Sequence, residues 1–162
     1  MTATEHERRD PPTFPSRTPH FNHVAMSLPA DLLDQEHRTL LVDFYGEVFG
    51  WVELPTMTED RHRLVFSAYT VEQFVFLIAD DPPMTAPRLD HFGMSVGAEA
   101  DLDEILARAK AYQQRDERVD IIDKKVDDHG VLAITSIYVR YLLPMMVEVQ
   151  WWDYRRDGRD VR

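Results

Sequence analysis

Cysteine is missing from all 162 residues, which excludes disulfides, thiolate metal ligands and a cysteine nucleophile. That absence is compatible with a reducing compartment, and a cytoplasmic location is the expectation. No apolar run approaches the roughly 18 residues that a membrane-spanning helix requires, so no membrane is expected among the partners. Positive charge is scarce too: 18 Lys and Arg stand against 29 Asp and Glu, a formal charge of −11. Such a balance repels nucleic acid and anionic lipid surfaces alike. The basic cluster Arg155, Arg156 and Arg159 alternates with Asp153, Asp157 and Asp160 and reads as a solvated tail.

What is present suits one globular domain, with 44% hydrophobic and 29% charged residues. Residues 1–19 hold Pro11, Pro12, Pro15 and Pro19 without periodicity and lack the apolar stretch of a secretory signal, so a flexible arm is expected. A charged tail is expected over 154–162. Between them, the domain spans 20–153 and repeats itself. His23-Val-Ala-Met-Ser-Leu28 matches His91-Phe-Gly-Met-Ser-Val96 in His, Met, Ser and a final aliphatic, at an offset of 68. Both segments alternate as half-buried strands, and in both the histidine sits opposite the greasy face.

A helix follows each strand. Leu40, Leu41, Phe44, Tyr45, Val48 and Phe49 recur at helical spacing, with Gly50 as the stop; Leu102, Ile105, Leu106, Ala109 and Tyr112 repeat the pattern. Asp101 or the small residues before it would cap the second helix. Three strands are then expected per copy: Trp51–Leu54 with Val119–Ile122 and Leu64–Tyr69 with Leu132–Ile137, both at offset 68, then Phe74–Ala79 with Met146–Trp151. A longer hairpin through Tyr141-Leu-Leu-Pro144 is expected in the second copy. Module one covers 20–81, module two 88–153, and Pro82, Pro83 and Pro87 mark the linker.

The histidine strand followed by Phe44-Tyr45-Gly-Glu-Val-Phe-Gly-Trp51 resembles the vicinal oxygen chelate superfamily. That group includes glyoxalase I, fosfomycin and bleomycin resistance proteins, and type I extradiol dioxygenases. The resemblance runs over about 21–153. It implies an α+β fold in which two βαβββ modules pair into a curved mixed sheet forming an open cup. It also implies metal ligands on the first and last strands of the modules: His23, His91 and Glu148. The fourth such position falls at Val75 or Phe76, neither of which ligates metal. Gln150 and Trp152, which share the Glu148 face of their strand, would line the substrate pocket with Val75 and Phe76. A homodimer is expected from the family alone.

Two imidazoles and a carboxylate form a facial triad suited to Fe(II), with Mn(II) or Zn(II) as alternatives. A divalent cation so held keeps a net charge of +1 and open positions for two neighbouring substrate oxygens. The order His129, Tyr138, Pro144, Glu148 resembles the extradiol dioxygenase signature, which implies a phenol donor in Tyr138 and a proton-handling group in His129. Plainer readings stand beside these. His129 lies in Asp127-Asp128-His129-Gly130, a turn sequence; Tyr138 also reads as a rim aromatic beside Ser136, and Glu148 as the polar side of an alternating strand. Trp51, Trp151 and Trp152 read as packing or pocket wall. The residues after Tyr138 and the missing module-one histidine both depart from the signature.

An Fe(II)-dependent, dioxygenase-like enzyme acting on a catecholic or other vicinal-oxygen small molecule is therefore the first expectation. A fosfomycin-type thiol transferase, lyase or isomerase on the same metal site is the second. A metal-free drug-binding protein is the third.

Overall fold

The protein is described here as a computed structural model over residues 18–130 and 132–154. The expected N-terminal arm lies outside these residues except for 18 and 19. The C-terminal tail also falls outside them, apart from Tyr154, which ends a strand. No helix among the described residues is long and apolar enough to cross a membrane.

Each module begins with its histidine strand, β1 (His23–Leu28) or β5 (His91–Val96). The helix α1 (Gln35–Phe49) starts where the Asp34 carboxylate accepts the His37 N–H at 3.0 Å, and stops at Gly50 with φ 73°. Only a residue that tolerates the left-handed region closes a helix in this way. Helix α2 (Glu99–Gln113) is capped from inside its first turn, where Asp101 accepts the Ala98 N–H at 3.1 Å. Leu41, Phe44, Tyr45 and Val48 on α1, and Leu102, Leu106, Ala109 and Tyr112 on α2, are buried as their spacing requires.

The remaining strands are β2 (Val52–Glu53), β3 (Arg63–Ser67) and β4 (Phe74–Ala79) in module one. Module two has β6 (Asp120–Asp128), β7 (Leu132–Arg140) and β8 (Met146–Tyr154). They form two four-stranded mixed sheets with the same order, β1-β4-β3-β2 and β5-β8-β7-β6. In each, the histidine strand runs parallel to the last strand and antiparallel pairs complete the sheet. The sheets are not closed, and β1 and β5 are edges.

The helices cover one face of each sheet. Met26, Leu28, Leu64, Phe66, Val75 and Leu77 point into the core from module one, with Ile137, Val139, Val147 and Val149 from module two. A single core cluster joins the modules through an aromatic seam between the helices. Phe44 meets Tyr112 edge-on at 4.9 Å and Tyr141 at 4.7 Å. The buried Tyr45 hydroxyl donates to the Tyr141 carbonyl at 3.1 Å and accepts the Tyr141 N–H at 3.2 Å. Trp51 is buried in the seam against Tyr45 and near Phe92.

Pairing registers correct one expected correspondence. Ala25 pairs with Phe76, which pairs with Val65; Gly93 pairs with Glu148, which pairs with Tyr138. Val65 therefore corresponds to Tyr138, and the offset for β3 and β7 is 73 rather than 68. The extra length lies in the β6–β7 hairpin, whose strands have nine residues each, and not in the Tyr141–Pro144 connection. An odd shift moves a strand's side chains to the other face. For that reason Tyr138 stands beside Glu148.

Candidate functional site

On module two, the face turned away from the helix carries polar residues. His91, Gly93 and Ser95 of β5 lie beside Glu148 and Gln150 of β8, and Ser136 and Tyr138 of β7 complete the patch. His91 Nε2 stands 3.4 Å from Glu148 Oε2, with the carboxylate nearly buried at 8% side-chain exposure. Gly93 lies directly beside that carboxylate, where a methyl group would meet Glu148 Oε2 at 3.5 Å, an ordinary van der Waals contact.

Hydrogen bonding fixes what these atoms offer. His91 Nδ1 lies 2.7 Å from the Leu89 carbonyl. A carbonyl only accepts, so Nδ1 carries the proton and, in the neutral ring, Nε2 presents a bare lone pair to a carboxylate oxygen. Two acceptors at that distance call for a proton or a cation between them. Histidines that bind metal have their second nitrogen anchored in this way. The Tyr138 ring meets His91 edge-on at 5.2 Å. Its phenol is pushed up to about 12 by burial and by the neighbouring Glu148 carboxylate. At neutral pH it is a donor.

His23 has the same preparation elsewhere. Its Nδ1 lies 2.8 Å from Asn22 Oδ1, and its ring stacks on Phe74 at 4.7 Å with an interplanar angle of 2°. Its Nε2 is left to solvent on the exposed edge of module one. His23 does not join His91 and Glu148, the other two expected ligands, in this chain: among the described residues, no three metal-ligating side chains gather.

The other expected site residues separate by face and distance. Phe76 is the register counterpart of Glu148, whereas Val75 is buried in the core and lines no pocket. Gln150 accepts the Trp152 indole N–H at 2.8 Å, and Trp152 is 40% exposed on the same face. His129 is exposed in the β6–β7 turn, where its N–H bonds the Leu132 carbonyl at 2.8 Å. Six residues of β7 separate Leu132 from Tyr138, roughly 20 Å of extended chain, so His129 does not reach the His91–Glu148 pair. Gly93 was not singled out from the sequence; its signal was a glycine inside a strand, a mark of close approach.

No family model and no curated protein matches the sequence. Solved structures do match in fold. Lactoylglutathione lyase from Agrobacterium tumefaciens aligns with 83% of this chain and 95% of its own, at TM-score 0.58 and 18% identity. A genomically encoded fosfomycin resistance protein from Listeria monocytogenes aligns over 82% and 93%, at TM-score 0.53 and 14% identity. A glyoxalase family protein from Bacillus anthracis aligns over 85% and 98%, at 0.50 and 17%. The chain shares the fold of the vicinal oxygen chelate superfamily. At such identities the likeness is one of architecture, and chemistry rests on the residues described above.

Proposed function

We propose that the protein is a divalent-metal-dependent enzyme acting on a small molecule with two adjacent oxygens, and that its site is completed by a second copy of the chain. The observation that carries this reading is the His91 Nε2 lone pair set 3.4 Å from a nearly buried Glu148 carboxylate. The missing third donor is His23 of a second copy. Support comes from topology: β1 and β5 are the edges that carry the histidines, and no strand pairs with their outer sides among the described residues. Joining such edges satisfies their main-chain groups.

Fe(II) is the favoured metal on ligand type, with Mn(II) or Zn(II) as alternatives. Bound there, the cation would act as a Lewis acid on the substrate's paired oxygens. The chain's own part is more specific. The Leu89 carbonyl orients His91, and strand pairing sets Glu148 between Gly93 and Tyr138. Tyr138 keeps its proton and donates it as a hydrogen bond to an ionised substrate oxygen. Oxidative opening of a catecholic ring is the reaction read from this set, with Tyr138 as donor and without His129.

Metal titration tests the reading. The wild-type protein binds one Mn(II) or Zn(II) per chain, and His91→Ala or Glu148→Gln weakens binding by about a hundredfold. Oxygen uptake on catechols after anaerobic Fe(II) loading tests the reaction. A wild-type chain that takes up no metal would overturn the proposal.

A further inference from the structure

Resting on the metal site proposed above, we infer that Phe76 sets the class of substrate: a weakly acidic chelator with an apolar body, not a phosphonate or a carboxylate-bearing thiol. The registers make Phe76 the counterpart of Glu148. A benzyl group therefore stands where a fourth ligand would complete a symmetric set. Phe74 and Ile78 flank it on the same face of β4. Phe74 lies flat under the His23 ring, Phe76 is half-buried, and Ile78 is 41% exposed. Ala25 and Val65, its partners across the sheet, are apolar as well. The wall begins beside one imidazole ligand and has no carboxylate of its own.

Charge narrows the ligand further. Each of the eleven Lys and Arg among the described residues is already ion-paired. On the strands of the two faces, Arg63 is held by Glu59 at 3.4 Å and Arg140 by Asp120 at 2.9 Å. A phosphonate or a peptide thiol would bring added negative charge to a chain of formal charge −11, with no unpaired Lys or Arg among the described residues to meet it. A singly ionised catechol or hydroxyketone matches the net +1 of the loaded site, and its hydrocarbon part meets Phe76.

The Mn(II)-loaded protein is titrated with catechol, tert-butylcatechol and methylphosphonate, alongside Phe76→Ala, Phe76→Leu and Phe76→Glu. Wild type prefers tert-butylcatechol. Phe76→Ala reduces that preference about tenfold with Mn(II) affinity unchanged, and Phe76→Leu retains most of it. Phe76→Glu tightens Mn(II) and weakens every chelator. Mn(II) binding with a preference indifferent to Phe76, or with methylphosphonate bound more tightly than tert-butylcatechol, overturns this inference alone. So does Phe76→Ala if it changes the oligomeric mass, since the face would then be a subunit contact. Failure of wild type to bind Mn(II) overturns the metal site and this inference together.

Discussion

Glu148 gains its character from three neighbours that are distant in sequence. His91 comes from the parallel strand beside it, Tyr138 from the antiparallel one, and Gly93 is its direct pairing partner on β5. Removing the phenol oxygen separates holding the metal from using it. Tyr138→Phe should bind Mn(II) within a few-fold of wild type, yet lower kcat about a hundredfold with little change in KM; steady-state oxygen uptake read beside metal titration distinguishes the two. At this scale the sequence was informative about His91 and Glu148, because alternation alone places both opposite the apolar face. His129 lies in the β6–β7 turn, away from that pair. A turn histidine and a site histidine look alike when the only guide is their distance along the chain. Val75 and Phe76 could not be told apart until the β1–β4 register assigned one to the core and the other to the open face.

Elements are tied together by polar groups inside an aromatic seam. The Tyr45 hydroxyl satisfies both main-chain groups of Tyr141, on the far module. Tyr45→Phe leaves a buried N–H and a buried carbonyl unpaired, and should cost about 1–3 kcal/mol, visible as a lower Tm. Nearby, Arg118 and then the Tyr141 hydroxyl bind Asp116 and hold its carboxyl well below the usual carboxylate range. A depressed acid contributes stability that is complete above its unfolded pKa of about 4 and is lost as pH falls towards the native value. Asp116→Asn should therefore flatten the acid limb of a denaturation-versus-pH curve below about pH 4 and lower stability at neutral pH. Helices and most strands were legible here from periodicity and caps. The offset of β7 was not, because an inserted stretch of odd length keeps a strand's composition while exchanging its faces.

Across the whole molecule, the two modules share a core through their helices and turn their histidine edges outward. The duplicated order of elements was readable from a 68-residue repeat, but the choice between a site within one chain and a site between two was not. Sequence fixes which side chains share a strand face, while module placement depends on seam contacts between residues such as Phe44 and Tyr141. Mixed oligomers test that choice. His23→Ala and Glu148→Ala chains should each bind metal about a hundredfold more weakly alone. Refolded together, they should recover one intact site per mixed pair, with His23 from one copy and His91 and Glu148 from the other. No recovery would place the third donor elsewhere.

The outer sides of β1 and β5 carry a consequence beyond the site. The Met84 N–H reaches the Ser27 carbonyl at 3.2 Å, but the histidine ends of both margins lie open. Among the described residues, a lone chain presents two margins of partly unpaired peptide groups, each suited to stick to an extended segment it meets. Scarcity, rather than crowding, is then the hazard. On the proposed two-copy site, activity would decline on dilution, because the association that assembles the cation's cage would be lost as the borders are uncovered.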